Sequence, residues 1–461
     1  MYTYQDFIKD GAGVNAITNA ITHHLNSDLY KTAKSADEYD HQRNETILNY
    51  VKLIFTMTGT PVEDFTASNN KLCSNFFRRL NTQRCTYSLG NGVSFVDHKE
   101  ERVGGDGIPI IVDTTKETLG NKFDTDLKKA GYKALIHGVT FGFWNMDRLH
   151  VFPVTEFVPL WDEEDGSLKA GIRFWRIDDN KPMSVVIYDE GGYTKYRSKV
   201  NSNAGIDLEE VQPKRSYKVV VSKSEEDGEE IIGEENYSSL PIVPLWGSDL
   251  HQSTLIGMKE KIDSFDLIRS GFANDLSDCA QIYWILENCG GMNDADLERF
   301  RDRLKINHIA TVDTDNSKAT PYTQDIPYNA RKVYLDDIRA GIYEDFGGLD
   351  VHTVAAGATN DHIDAAYQPM DEEADNFEFQ VIEFVQQILT IAGIEDTPVF
   401  KRNRISNQME QVQMVMLEAD YLDNETILSK LPNITPDEVA HILARKADQD
   451  MDLVNREDLE A

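Results

Sequence analysis

Apolar positions recur at helical spacing near both ends of the chain and give way to β-type texture in the middle, and this change of period divides it. Ile17, Ile21 and Leu25 mark one face of a helix, and a second helix is predicted to end near Thr58-Gly59. Leu72, Phe76 and Leu80 predict an amphipathic helix over 72–89, stopped by Gly90-Asn91-Gly92. A further helix is predicted over 124–137. From 139 to 187, β-branched and aromatic residues broken by turn signals such as Asp162-Glu163-Glu164-Asp165-Gly166 predict strands. Strands continue at 217–221 and 231–232, and the acidic run 225–230 between them reads as a solvated hairpin tip. Leu240-Pro241-Ile242-Val243-Pro244-Leu245 closes the β-rich part.

Helical spacing then returns. Leu255, Met258, Ile262, Phe265, Phe272 and Leu276 form one apolar stripe over 254–278, with Lys259, Lys261, Asp263, Asp266 and Arg269 between them. Residues 280–326 read as a small mixed module: a strand at 282–286, a turn at Gly290-Gly291, a charged helix at 294–304 and a second strand at 309–312. A second long helix follows at 329–345, with Val333, Ile338 and Ile342 on one face. The stretch 346–366 is rich in Gly and Ala and has weak periodicity; a loop of roughly 20 residues inside a compact domain is uncommon and usually functional or mobile. Pro369 fits the first turn of a helix that Asp371, Glu372 and Glu373 favour near its N-terminus. Phe377, Val381, Phe384, Ile388 and Ala392 give that helix its apolar face. Past Pro398 the chain reads as helical hairpins, with a capping box at Thr435-Pro436-Asp437-Glu438. The fold class expected is α+β, mainly helical.

The 461 residues suffice for two or three domains. Lys and Arg number 46 against 79 Asp and Glu, a net charge of −33 that argues against a static grip on nucleic acid. It is compatible with a surface past which DNA slides without sticking. Mean hydropathy is −0.46 and no apolar run approaches the ~20 residues of a membrane span. The first residues lack the basic and apolar regions of a secretory signal, so a soluble protein in a cytoplasm is expected. Cys73, Cys85, Cys279 and Cys289 form no CxxC pair and read as free thiols in a reducing compartment.

The chain has no GxxxxGK[ST] phosphate loop, no HExxH, no GxSxG and no zinc-like Cys/His set. Asp313-x-Asp315-x-Ser317 and Asp448-x-Asp450-x-Asp452 begin like calcium loops but lack the glycine at position six and the acid at position twelve. His23-His24 and the pair His352 and His362 have no further ligands at usable spacing. No catalytic residue, metal or cofactor is assigned, and the chain is not expected to be an enzyme. Carboxylate pairs arise by chance in so acidic a chain, which leaves a metal-dependent nuclease as one competing reading and an oligomeric adaptor as a second.

The order of parts, two amphipathic helices around a small α/β module, then a Gly/Ala-rich loop, then a long helix with an acidic start, resembles the portal (head–tail connector) proteins of tailed bacteriophages. The type is that of siphophages of Gram-positive hosts. Ile242-Val243-Pro244-Leu245-Trp246-Gly247-Ser248-Asp249-Leu250 is similar to the family's approach to its first stem helix. Ile262-Asp263-Ser264-Phe265-Asp266 and Asn274-Asp275-Leu276-Ser277-Asp278 are similar to that helix itself. Phe346-Gly347-Gly348 and Tyr367-Gln368-Pro369-Met370 resemble the flanks of the tunnel loop, and Phe76-Phe77-Arg78-Arg79-Leu80 resembles the wing helix.

The resemblance implies a wing over 1–248, a first stem helix over 249–279, a clip over 280–326 and a second stem helix over 327–346. A tunnel loop over 347–366, a long wing helix over 367–398 and a short helical crown and tail over 399–461 complete it. It implies a DNA channel touched by Gly347, Gly348, His352, Gly357, Asn360 and His362, with Lys259, Lys261 and Arg269 as candidate stem contacts to DNA. Asp294, Glu298, Arg299, Arg301 and Arg303 would face terminase or adaptor from the clip. Implied too is a homo-oligomer of twelve copies, or thirteen when isolated, at a unique capsid vertex of the virion, assembled in the host cytoplasm without a membrane. The implied partners are the major capsid and scaffold proteins, the large terminase subunit, a head–tail adaptor and the double-stranded DNA packaged and ejected through the ring.

Overall fold

The structure, a computed structural model, describes residues 2–55, 58–65, 67–103, 109–178, 180–199, 207–224, 228–279, 283–287, 293–307, 318–322, 328–350, 360–404, 408–419, 421–431, 439 and 442–443. The described residues form both helices and strands, a mixed α+β protein. The chain opens with α1 (Tyr4–Lys9), α2 (Val14–Asn26), α3 (Asp28–Asp40), α4 (Glu45–Leu48), β1 (Leu53–Phe55) and β2 (Pro61–Glu63). There follow α5 (Phe76–Leu89), β3 (Val93–Phe95), β4 (Lys99–Val103), β5 (Pro109–Asp113), α6 (Thr114–Leu119) and α7 (Phe123–His137). The β-rich part comprises β6 (Val139–Trp144), β7 (Leu149–Pro153), β8 (Phe157–Trp161), β9 (Leu168–Trp175), β10 (Ser184–Asp189), β11 (Gly192–Ser198), β12 (Leu208–Arg215), β13 (Lys218–Ser224), β14 (Gly228–Glu235) and β15 (Ile242–Trp246). Then come α8 (Lys259–Cys279), β16 (Tyr283–Glu287), α9 (Asp294–Asn307), β17 (Lys318–Tyr322) and α10 (Tyr328–Phe346). The chain continues with α11 (Asn360–Ala392), β18 (Pro398–Phe400), α12 (Gln408–Glu418) and α13 (Asn424–Lys430).

These elements fall into two compact units. The larger comprises residues 1–42, 75–259 and 343–461. Its main core is built on α11, whose Phe377, Val381, Phe384, Val385 and Ile388 pack with Leu89, Leu127, Ala134, Val243 and Leu245. The approach is close enough that a Cβ at Gly142 of β6 would lie 2.4 Å from the Phe384 ring, so the long helix seats on the antiparallel sheet β15-β6-β7 only because that position is glycine. A second sheet, β12-β11-β10-β9-β8, buries Leu160, Ile172 and Val185 against Phe7, Ile17 and Ile21 of the first two helices.

The smaller unit comprises residues 43–74 and 260–342. Within it α8 and α10 lie antiparallel: the Ser264 hydroxyl is 3.3 Å from that of Tyr334, Phe272 packs on Tyr328 at 5.8 Å, and Arg331 ion-pairs with Asp275. Between the two helices in sequence, β16 and β17 form an antiparallel pair with α9 connecting them.

Several elements differ from what periodicity predicted. No helix reaches Thr58-Gly59; α4 is one turn long and the chain turns back as the hairpin β1–β2. Leu72 stands outside α5, which begins at Phe76. The strand that pairs β16 is at 318–322, while the predicted strand 309–312 lies outside the described residues. On α10, Ile342 is buried but Val333 is 68% exposed, because five residues separate it from Ile338 and turn it to another face. Leu276 likewise leaves the apolar stripe of α8 and is exposed. The largest revision concerns α11, which starts at Asn360 and carries Pro369 in its interior, not in its first turn. Ile363, Tyr367, Met370 and Ala374 give those early turns a buried face that offsets the hydrogen bond a proline forfeits. After Pro398 the first element is the strand β18, paired with β3, and the capping box 435–438 lies outside the described residues.

Candidate functional site

The Gly/Ala-rich segment leaves α10 through a Schellman turn. Gly347 has φ +64°, its N–H bonds to the Glu344 carbonyl at 3.1 Å, and the Gly348 N–H reaches back to the Tyr343 carbonyl at 2.8 Å. A side chain at 347 would be strained by that φ and would lie 2.9 Å from Glu373 Cγ and 3.0 Å from the Pro369 carbonyl. At 348 a Cβ would lie 2.6 Å from Leu80. The next residue is gripped twice by one side chain: Gln83 donates from Nε2 to the Leu349 carbonyl at 3.0 Å and accepts the Leu349 N–H on Oε1 at 3.2 Å.

Arg84, on the following position of α5, completes the hold. Its guanidinium is buried, donates to the Phe346 carbonyl, ion-pairs with Glu373 at 3.1 Å and lies 4.2 Å above the Phe346 ring. Burial lowers its pKa and the Glu373 carboxylate works against that. The far flank returns to the same helix, since Ile363, Tyr367, Met370 and Ala374 of α11 cluster with Leu349 and with Tyr87 of α5. Both flanks of 351–359 are thus anchored on one face of α5, at Gln83, Arg84 and Tyr87. Periodicity marked α5 as merely amphipathic; no sequence signal distinguished these three residues.

A second anchor fixes the chain after β18. Arg402 binds Asp371 at 2.9 Å, Glu378 at 2.9 Å and Asp375, while Arg404 binds Asp364 at 3.0 Å, Asp371 and the Tyr87 hydroxyl at 2.8 Å. Tyr87 in turn donates to Asp371 at 2.5 Å. Burial and then the Asp371 hydrogen bond push the Tyr87 phenol up to about 12. Burial alone would raise Asp371, but the hydrogen bonds from Arg404 and Tyr87 outweigh it and hold the carboxyl below its ordinary range. The acids predicted to favour a helix start instead sit in the interior of α11, where two arginines bind Asp371.

Of the predicted channel residues, Gly347 and Gly348 belong to this anchor, Asn360 opens α11, and His362 is exposed in its first turn. His352 and Gly357 lie outside the described residues. The three stem cations are not brought together. Lys259 sits 5.3 Å over the Tyr39 ring at the start of α8, and Lys261, two residues on, points to a different side. Arg269 is exposed, 6.0 Å from the Phe265 ring. In α9, Asp294 and Glu298 are exposed, Arg299 pairs with Asp296 at 3.5 Å and Arg301 with Asp302 at 3.2 Å; the Arg303 side chain lies outside the described residues. Such exposed pairs contribute little stability.

The helix α8 carries instead a polar stripe that the apolar spacing concealed. Asp263, Asp266, Ser270 and Asn274 recur every three or four residues and hold the segment 44–74 along the helix. Thr46 donates to Asp263 at 2.6 Å, and Asn44 and the Ser74 N–H (2.9 Å) donate to Asp266. The Leu72 N–H reaches Ser270 at 3.0 Å and the Asn70 N–H reaches Asn274 at 2.6 Å. Burial raises the Asp266 carboxyl against the pull of these donors.

The phage portal protein family, SPP1 Gp6-like, matches residues 19–452. The chain belongs to that family. A portal protein of Bacillus phage SPP1 is 21% identical over 407 residues, 82% of this chain and 76% of its own length. A portal protein of Clostridium phage phiCD119 is 28% identical over 214 residues, 44% of this chain and 48% of its own length, so the match spans about half of that relative. Portal proteins are structural components of the virion. Among the described residues no helix of this portal protein is long and apolar enough to cross a membrane, and no His, Cys, Asp and Glu group could hold a metal ion.

Proposed function

We propose that the chain forms a ring of twelve subunits, or thirteen when isolated, at one capsid vertex. Double-stranded DNA is packaged and ejected through it, and terminase and then the head–tail adaptor dock on it. The observation that carries this reading is the family match over residues 19–452, a span that includes both helices α8 and α10 and the piece between them. In it, residues 1–248 and 367–398 form the wing, 249–279 and 327–346 the stem, 280–326 the clip and 399–461 the crown. Segment 43–74 braces the stem, because it belongs to the same compact unit and follows the polar stripe of α8. The tunnel segment narrows to 349–361: Gly347 and Gly348 serve as its hinge anchor, and His352, Gly357 and Asn360 lie within it. Asp294, Glu298, Arg299, Arg301 and Arg303 face the docking partner from the clip.

Charge supports this role. A ring through which a polyanion slides works best when it repels weakly and evenly, since every phosphate–cation contact adds a salt-dependent barrier. Single cations such as Lys259, Lys261 and Arg269 provide brief contacts without a continuous basic track, and no catalytic step is assigned. The test is negative-stain electron microscopy with mass from light scattering. Twelve copies of 52.3 kDa give about 630 kDa and an end-on toothed ring with a central hole. A closed dimer or tetramer would overturn the assignment.

A further inference from the structure

The hairpin β1–β2 in the smaller unit is apolar and uncovered. Its register pairs Leu53 with Glu63, Ile54 with Val62 and Phe55 with Pro61. Successive side chains on a strand point to opposite faces, so Leu53 and Phe55 lie on one face and Ile54 and Val62 on the other. All four are exposed, Phe55 to 75%, and the adjoining Phe65 is 85% exposed. Tyr50 and Val51, just before the hairpin, are exposed as well. A two-stranded ribbon is marginal in water by itself, and one with apolar side chains on both faces cannot be satisfied by lying flat on a surface. It has the character of an arm inserted between partners.

We propose that this arm docks on a second copy of the chain and forms part of the contact between neighbouring subunits. The area argues for such a partner. With about 200 Å² for a phenylalanine and somewhat less for an aliphatic side chain, the exposed fractions leave on the order of 400 Å² of apolar surface on the hairpin and on the order of 600 Å² once the adjoining Phe65 is included. Buried on both faces of an inserted arm, that total is most of the ~800 Å² that each side of a stable protein interface buries. A protein of a ring-forming family needs contacts repeated at every subunit boundary, and the hairpin supplies one that is presented in full on each copy. The inference rests on the ring reading and names a surface that serves it.

The experiment uses the purified full chain. Phe55→Asp combined with Phe65→Asp is compared with wild type by mass photometry across a concentration series, with far-UV circular dichroism to check folding and Phe55→Leu as the conservative control. The double variant is expected to stay folded and to raise the concentration at half assembly at least about 10-fold, with Phe55→Leu close to wild type. In parallel, a photo-crosslinking amino acid at position 55 is expected to join two copies of the chain. Unchanged assembly of the double variant overturns the inference, as do crosslinks confined within one chain. If the double variant is unfolded, the crosslink decides alone. Wild type that never assembles overturns the ring reading instead, so the two failures are separated by the control.

Discussion

Arg84 offers the sharpest test of how the chain is held where it leaves α10. Replacing it with methionine keeps an apolar stem but removes three contacts: the donor to the Phe346 carbonyl, the guanidinium over the Phe346 ring and the ion pair with Glu373. Leaving a buried carbonyl without its donor costs about 1–3 kcal/mol, and loss of a desolvated cation–π contact about 1–2 kcal/mol more. The ion pair adds little, because the Glu373 side chain is 43% exposed and rehydrates when its partner is gone. Arg84→Met should therefore cost roughly 2–5 kcal/mol, a fall in Tm of several degrees at the ~2–4 °C per kcal/mol typical of domains this large. Glu373→Gln should cost less than about 1 kcal/mol. Both are measured by thermal unfolding under near-UV circular dichroism. If Glu373→Gln proved as costly as Arg84→Met, the ion pair and not the capped carbonyl would be holding the segment, and the reasoning would fail.

Gly347→Ala should lower stability by about 1–2 kcal/mol on the same assay, since a side chain at φ +64° is strained. Shortening 351–359 should lower DNA packaging; unchanged packaging and infectivity would remove the proposed tunnel role. Asp396 accepts hydrogen bonds from the N–H groups of Val96, Asp97 and Thr397 and from the Thr115 hydroxyl, so Asp396→Ala should cost about 2–4 kcal/mol in denaturant titration. Burial would raise the Asp37 carboxyl, but hydrogen bonds from His137 and Lys133 override it and bring it to about 2. A carboxyl lowered on folding stabilises above its unfolded value near about 4 and loses that contribution as pH falls toward 2, a loss of order 2 kcal/mol that Asp37→Asn should abolish in acid titration. Finally, the isolated protein should bind linear duplex DNA only weakly at ~150 mM salt by gel shift; nanomolar affinity would contradict the sliding-channel account.

The sequence by itself determined the elements whose signal is local. Ile17, Ile21 and Leu25 place α2, the run to His137 places α7, and β-branched and aromatic texture places β6 to β10, because hydrophobic period depends only on which face is buried. The order of those parts was enough to indicate the family that the comparison then identified. What tertiary structure decided is everything that depends on residues distant in sequence. Pro369 reads as a helix start until the buried faces of Ile363 and Tyr367 carry α11 back to Asn360. Gly347 and Gly348 read as loop flexibility until the backbone of α10 and the side chains of α5 close around them. Gln83 and Arg84 carry no motif, and their roles, like that of Asp266, exist only because a backbone group from elsewhere in the chain arrives beside each one. A polar side chain's partner is fixed by the packing of the whole unit, and no local period encodes it.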